Sequence, residues 1–155
     1  MIVGIGLDVV ETDRLAGALS GEGADAFQTR VFTPGELAAC ADRHDRVQAL
    51  AARFAAKEAC LKALGAGLFE AALLQVEIVP QKGGKGAPEL RLTGALAERA
   101  RRRRVRSVHV SLTHEPGVAA AVVILEGTRT PAPSGARSRR GTTTWTLEPL
   151  AQGTW

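Results

Sequence analysis

Lys57 and Glu58 stand in a helical stretch whose spacing calls for apolar residues. Around Arg53-Phe54-Ala55-Ala56-Lys57-Glu58-Ala59-Cys60-Leu61-Lys62-Ala63-Leu64-Gly65, plotted at about 100° per residue, Val47, Leu50, Phe54, Leu61 and Leu64 make one apolar arc. Lys57 falls inside the arc and Glu58 at its edge. Lys62 lies one turn beyond Glu58 on the same flank, so a carboxylate and an ammonium project together. Ionised groups at the border of a core usually have partners. The plainer reading is a surface pair between Glu58 and Lys62, with the Lys57 stem snorkelling to water.

A second carboxylate comes from the N-terminus. Met1-Ile2-Val3-Gly4-Ile5-Gly6-Leu7-Asp8-Val9-Val10 reads as a short β-branched strand ending on Asp8, and Glu11-Thr12-Asp13-Arg14-Leu15 opens a helix. Asp8 is either a turn or helix cap or, with Glu58, a ligand; two such oxygens with phosphate oxygens and water suit the octahedral shell of Mg²⁺. The Gly4-x-Gly6 pair is not a dinucleotide fingerprint, because Val9 occupies the third glycine position. Gly83-Gly84-Lys85-Gly86 is not a P-loop, since Gly86 stands where Ser or Thr is needed.

A third candidate is His114. In Val108-His109-Val110-Ser111-Leu112-Thr113-His114-Glu115 the apolar residues alternate with polar ones, which predicts a half-buried strand with His114 continuing the apolar face at its rim. His109 and His114 differ by an odd number and so point to opposite faces, which argues against a shared metal. Ser111 and His114 are opposed likewise, which argues against a local nucleophile and base. Cys40 and Cys60 have neither metal nor redox spacing and read as packed thiols.

The elements that must position these groups follow in order. A strand is expected at 2–8, helices within 12–30 and 34–43, a long helix at about 46–64, strands near 73–79 and 89–92, a helix at about 93–104, and strands at 106–114 and 117–125. Glu115-Pro116-Gly117 is a turn signal that makes the last two strands a hairpin. This order implies an α+β fold with a small antiparallel sheet and packed helices, one of them long. At 155 residues and 45% hydrophobic, the chain has material for one core. The domain is expected to span 1–127, followed by a C-terminal extension over 128–155 that is rich in Pro, Ser, Gly, Thr and Arg and reads as disordered or partner-docking. Within that extension, Thr142–Leu147 has the β propensity of a strand that docks on a partner.

Charge is unevenly spread. Arg129, Arg137, Arg139 and Arg140 against Glu148 place +3 of the formal +4 in the extension. Arg99, Arg101, Arg102, Arg103, Arg104 and Arg106 read as a solvated run near a helix C-terminus, or as a platform for an acidic partner. A nucleic-acid module is the rival reading; the near-neutral domain and the lack of aromatics among its basic residues count against it. The apolar run Val118–Leu125 is too short to span a bilayer, and the opening strand has no basic leader. No membrane and no nucleic-acid partner is expected, and the cytoplasm is the expected compartment.

Gly4-Ile5-Gly6-Leu7-Asp8 through Arg14, the Arg53–Lys62 helix, and the strand ending Ser111-Leu112-Thr113-His114 together resemble the holo-acyl-carrier-protein synthase family of 4′-phosphopantetheinyl transferases, over roughly 1–127. Arg30-Val31-Phe32-Thr33-Pro34-Gly35-Glu36-Leu37 adds to the likeness. The resemblance implies that family's fold, with coenzyme A as co-substrate, an acyl carrier protein as acceptor, and a homotrimer with active sites between subunits. It implies Mg²⁺ held by Asp8 and Glu58, catalysis by Glu58, Lys62 and His114, and Lys62 as the pyrophosphate clamp. Arg53, Lys62, Gly65 and His114 would line coenzyme A, and Arg14 on the first helix would bind the carrier. Two positions depart from the pattern. Gly86-Ala87-Pro88 lacks the family's central basic residue, and Leu7 stands where a smaller or polar residue is common. A catalytically silent carrier-binding protein is the alternative, and the presence of Asp8, Glu58, Lys62 and His114 argues against it.

Overall fold

The computed structural model describes residues 1–67, 73–80 and 87–128. The chain runs β1 (Ile2–Glu11), α1 (Thr12–Ser20), α2 (Ala24–Val31), α3 (Pro34–Cys40), α4 (Arg46–Leu64), a 3-10 turn (Leu73–Gln75), β2 (Val76–Val79), β3 (Glu89–Leu92), α5 (Gly94–Arg102), β4 (Val105–Glu115) and β5 (Val118–Gly127). This is the α+β order the sequence predicts. The expectations for 129–155, including the strand at Thr142–Leu147, and for the loop at 81–86 lie outside the described residues.

The long helix organises the rest. β1, β5 and β4 form an antiparallel sheet in that order, β2 and β3 a separate two-stranded ladder, and α4 packs on all three strands of the larger sheet and on β2. Period-2 alternation divides the larger sheet into two faces. Gly4, Gly6, Asp8 and Val10 of β1, the buried Ala119, Ala121, Val123 and Leu125 of β5, and Val108, Val110, Leu112 and His114 of β4 face α4. On the other face Ile5, Leu7 and Val9 are 60%, 59% and 58% exposed, beside Val122 and Ile124 of β5.

Small residues let β1 approach the helix closely. α4 buries Ala52, Ala55, Ala56, Ala59 and Ala63. A Cβ built on Gly6 would lie 1.9 Å from the Ala59 carbonyl oxygen, and one on Gly4 would lie 2.3 Å from that of Ala63. Only glycine fits so near a helix backbone. The Gly4-x-Gly6 pair therefore serves strand-on-helix packing, a role the sequence reading did not assign.

Three expectations change. Lys57 does not snorkel: its side chain has no solvent exposure and pairs with Glu36 Oε2 at 2.7 Å, also donating to the carbonyl oxygens of Leu73 and Val76. That satisfies all three ammonium donors. Burial pulls the Lys57 pKa below its ordinary value, and Glu36 opposes the shift. Glu36 also completes a capping box with Thr33 and accepts from the Ile78 N–H at 3.0 Å, so this pair ties α3, α4 and β2 together.

The second change concerns Asp8. β1 continues through Glu11, so Asp8 is neither at a strand end nor a cap. Ladder pairing with β5 carries the strand past the charged residue.

The third is the arginine run. Arg99 donates to the carbonyl oxygens of Leu64 and Gly65, and Arg103 to those of Ala63 and Val3. These two side chains satisfy the C-terminal carbonyls of α4, a helix other than their own, and are no solvated face. Arg101, Arg102, Arg104 and Arg106 are exposed as expected.

Candidate active site

Asp8 and Glu58 line one cleft, of about 620 Å³, together with Arg14, Leu15, Phe27 and Phe54. β1 delivers Asp8 on its α4-facing side, and α4 delivers Glu58 from a half-buried flank one residue past the buried Lys57. Glu58 Oε1 is buried and has no hydrogen-bond partner among the described residues. Burial, and after it the charge of Asp8, push the Glu58 carboxyl above its ordinary value, while Lys62 acts the other way. A buried carboxylate oxygen without a donor, beside a second carboxylate, is what a hard cation would satisfy. Among the described residues no group of three acidic, His or Cys side chains forms, so water and phosphate oxygens would complete such a shell.

Lys62 is found elsewhere than in the pair with Glu58. Its ammonium donates to Asp8 Oδ1 at 2.7 Å and to the Leu7 carbonyl oxygen at 3.1 Å. The cross-element partner wins because β1 lies against the α4 turn that bears Lys62. Gly65 ends α4 in the left-handed region at φ 59°, and Glu58, Lys62 and Gly65 climb the helix over about 10 Å.

His114 and Arg53 do not join the carboxylate cleft. The register Val10↔Ala119↔His114 puts His114 two strands from β1, about 10 Å across the sheet. Its Nε2 lies 3.5 Å from Asp45 Oδ2, with the side chain 30% exposed. Asp45 in turn accepts two bonds from Arg43, at 2.7 and 2.6 Å, which hold its carboxyl below the usual range. Arg53 spends Nη1 on the Ala49 carbonyl oxygen, 3.0 Å away, and its buried Nε has no partner among the described residues. Arg14 is exposed on α1 at the cleft's edge.

Sequence reading missed Phe27, Asp45 and Glu36. Asp45 directly precedes α4, where an N-cap is expected, yet its side chain makes no cap bond because Arg43 holds it. Thr33-x-x-Glu36 was legible as a capping box; its second role, opposite Lys57, was not.

Comparison with known proteins gives this arrangement a class and then a family. The 4′-phosphopantetheinyl transferase superfamily model matches residues 4–123. A holo-acyl-carrier-protein synthase of Anaeromyxobacter dehalogenans is 52% identical over 130 residues, covering 83% of this chain and 98% of the relative. The crystal structure of the Neisseria meningitidis holo-acyl-carrier-protein synthase superposes with TM-score 0.71 at 33% identity, over 81% of this chain and 99% of that one. The Helicobacter pylori synthase in complex with coenzyme A gives TM-score 0.67 at 29% identity, over 79% and 99%. The chain belongs to the holo-acyl-carrier-protein synthase family of 4′-phosphopantetheinyl transferases.

Proposed function

We propose that this chain transfers 4′-phosphopantetheine from coenzyme A to a serine of an apo acyl carrier protein, with Mg²⁺ at Asp8 and Glu58, releasing 3′,5′-adenosine bisphosphate. The observation that carries the reading is the buried, unpartnered Glu58 oxygen in the cleft it shares with Asp8. Coenzyme A bound to the Helicobacter relative supports the co-substrate.

The serine oxygen attacks the β-phosphorus, the bond to the bridging oxygen breaks, and the hydroxyl proton ends in solvent. Such transfers need positioning and charge neutralisation more than a protein nucleophile. Mg²⁺, when bound, supplies charge neutralisation on the pyrophosphate. Lys62 adds a second cation one turn along α4, on the pyrophosphate. Arg14 sits beside Leu15, Phe27 and Phe54, which suits a carrier that offers an acidic residue and an apolar one near its serine.

A homotrimer with interfacial sites accounts for two further observations. Ile5, Leu7 and Val9 form an exposed apolar face of the kind that marks an interface. His114 and Arg53, which do not line the cleft of their own chain, would act on coenzyme A in the site of a neighbouring copy. A cytoplasmic location is the expectation that goes with this family; no helix among the described residues is long and apolar enough to cross a membrane.

The test is intact mass of an apo acyl carrier protein incubated with this protein, coenzyme A and Mg²⁺. A gain of one phosphopantetheine, abolished by chelator, is expected. No gain with any of several carriers would favour the silent carrier-binding alternative.

A further inference from the structure

Asp8 and Glu58 differ in one respect that the pairing at the site makes plain. Asp8 has a protein cation of its own, since the Lys62 ammonium sits 2.7 Å from Oδ1 and is steadied by the Leu7 carbonyl oxygen at 3.1 Å. Glu58 feels the Lys62 charge only at a distance: among the described residues Oε1 lacks any hydrogen-bond partner, and no ion pair forms between Glu58 and Lys62. Two of the three Lys62 donors are therefore spent at β1, while the transferase reading requires the same ammonium on the pyrophosphate.

We infer that Lys62 is an exchangeable internal counter-ion: a divalent cation and Lys62 compete for Asp8, and the lysine displaced from Asp8 is the one that engages coenzyme A. This rests on the transferase reading and deepens it. A divalent cation held by Asp8 would sit on the same carboxylate as the Lys62 ammonium, and the two positive charges would repel at close range. Lys62 has a flexible four-carbon stem and a side chain 54% exposed, so it can leave Asp8 without disturbing the core. The ammonium leaves toward water while the Asp8 carboxylate, only 15% exposed, passes to the cation, so the exchange leaves neither charge uncompensated. The exchange couples the two ligands: the cation frees the clamp for coenzyme A, and by reciprocity coenzyme A, in holding the clamp, favours the cation.

Calorimetric titration of the full chain with coenzyme A in excess chelator tests this through binding alone. Asp8→Ala and Glu58→Ala each remove one negative charge, but only the first releases Lys62. Coenzyme A is expected to bind about three- to fivefold tighter to Asp8→Ala than to Glu58→Ala, and adding Lys62→Met should erase the difference. Equal affinities, or a difference that survives Lys62→Met, would overturn the exchange.

Mn²⁺ binding in the absence of coenzyme A, followed by electron paramagnetic resonance, gives a second readout. Lys62→Met should tighten Mn²⁺ binding while weakening coenzyme A binding in Mg²⁺; unchanged Mn²⁺ affinity would count against the proposal. A wild-type chain that binds no coenzyme A even with Mg²⁺ would sink the transferase reading, and the exchange with it.

Discussion

Lys57 and Glu36 form an ion pair at 2.7 Å in which neither side chain touches solvent. Removing one partner leaves an uncompensated buried charge, which typically costs about 3–5 kcal/mol. Lys57→Met should therefore lower the urea-unfolding free energy by about that amount. Adding Glu36→Gln, which removes the stranded charge and keeps an acceptor for one of the Thr33 and Ile78 N–H groups, should restore part of it. A loss below about 1 kcal/mol in the single variant would mean that the pair contributes no more than a surface one.

Gly6 sets the distance between β1 and α4. In Gly6→Ala the new methyl would meet the Ala59 carbonyl oxygen at 1.9 Å, and a helix backbone cannot yield. The strand must lift, carrying Asp8 away from Lys62 and Glu58. The expected result is a lower melting temperature together with weakened Mg²⁺-dependent coenzyme A binding. Gly17→Ala is the control: nothing lies within 4 Å of the added atom, and α1 should gain up to about 1 kcal/mol. Unaltered coenzyme A affinity in Gly6→Ala would show that the close approach does not position Asp8.

Glu58 links pH to stability with an unusual sign for a carboxyl group. Its pKa is raised in the folded chain by burial and then by Asp8, so the folded state holds its proton more tightly than the unfolded state does. Its contribution to stability is thus fully present below the unfolded value and is lost as pH rises through the folded one. In metal-free protein, Glu58→Gln should melt above wild type at pH 7 and converge on it near pH 4. The same variant should lose Mg²⁺-dependent transfer. Coincident melting curves at both pH values, or full retained transfer, would contradict the assignment of Glu58.

The exposed row Ile5, Leu7 and Val9 predicts the oligomer. Leu7→Asp places a charge in the middle of the apolar face without touching the side of β1 that faces α4. Sedimentation should show a trimer for wild type and a monomer for the variant. Transfer should fall with assembly, because His114 and Arg53 would no longer reach a neighbour's cleft. A monomeric wild type with full activity would remove the interfacial site.

Much of this protein was legible in one dimension because local rules governed it. The 3.6-residue arc of α4, the alternation of β4 and the turn at Glu115-Pro116-Gly117 placed the helix and the hairpin within a few residues of their observed bounds. The three motifs also carried the family. Pairings between distant elements were not legible, because they depend on which surfaces meet. Lys62 faces Glu58 by helical spacing, yet it bonds to Asp8, 54 positions away in sequence, since two glycines draw β1 onto the helix. Lys57 marked itself as anomalous by its place in an apolar arc, but nothing local names Glu36 as its partner. Arg99 and Arg103 read as a surface run because spacing along α5 says nothing of the α4 carbonyls beside it. Sequence by itself determined the elements, their polarity and the residues able to do chemistry. Tertiary structure decided which charge meets which, because that choice is made by close packing and desolvation across elements.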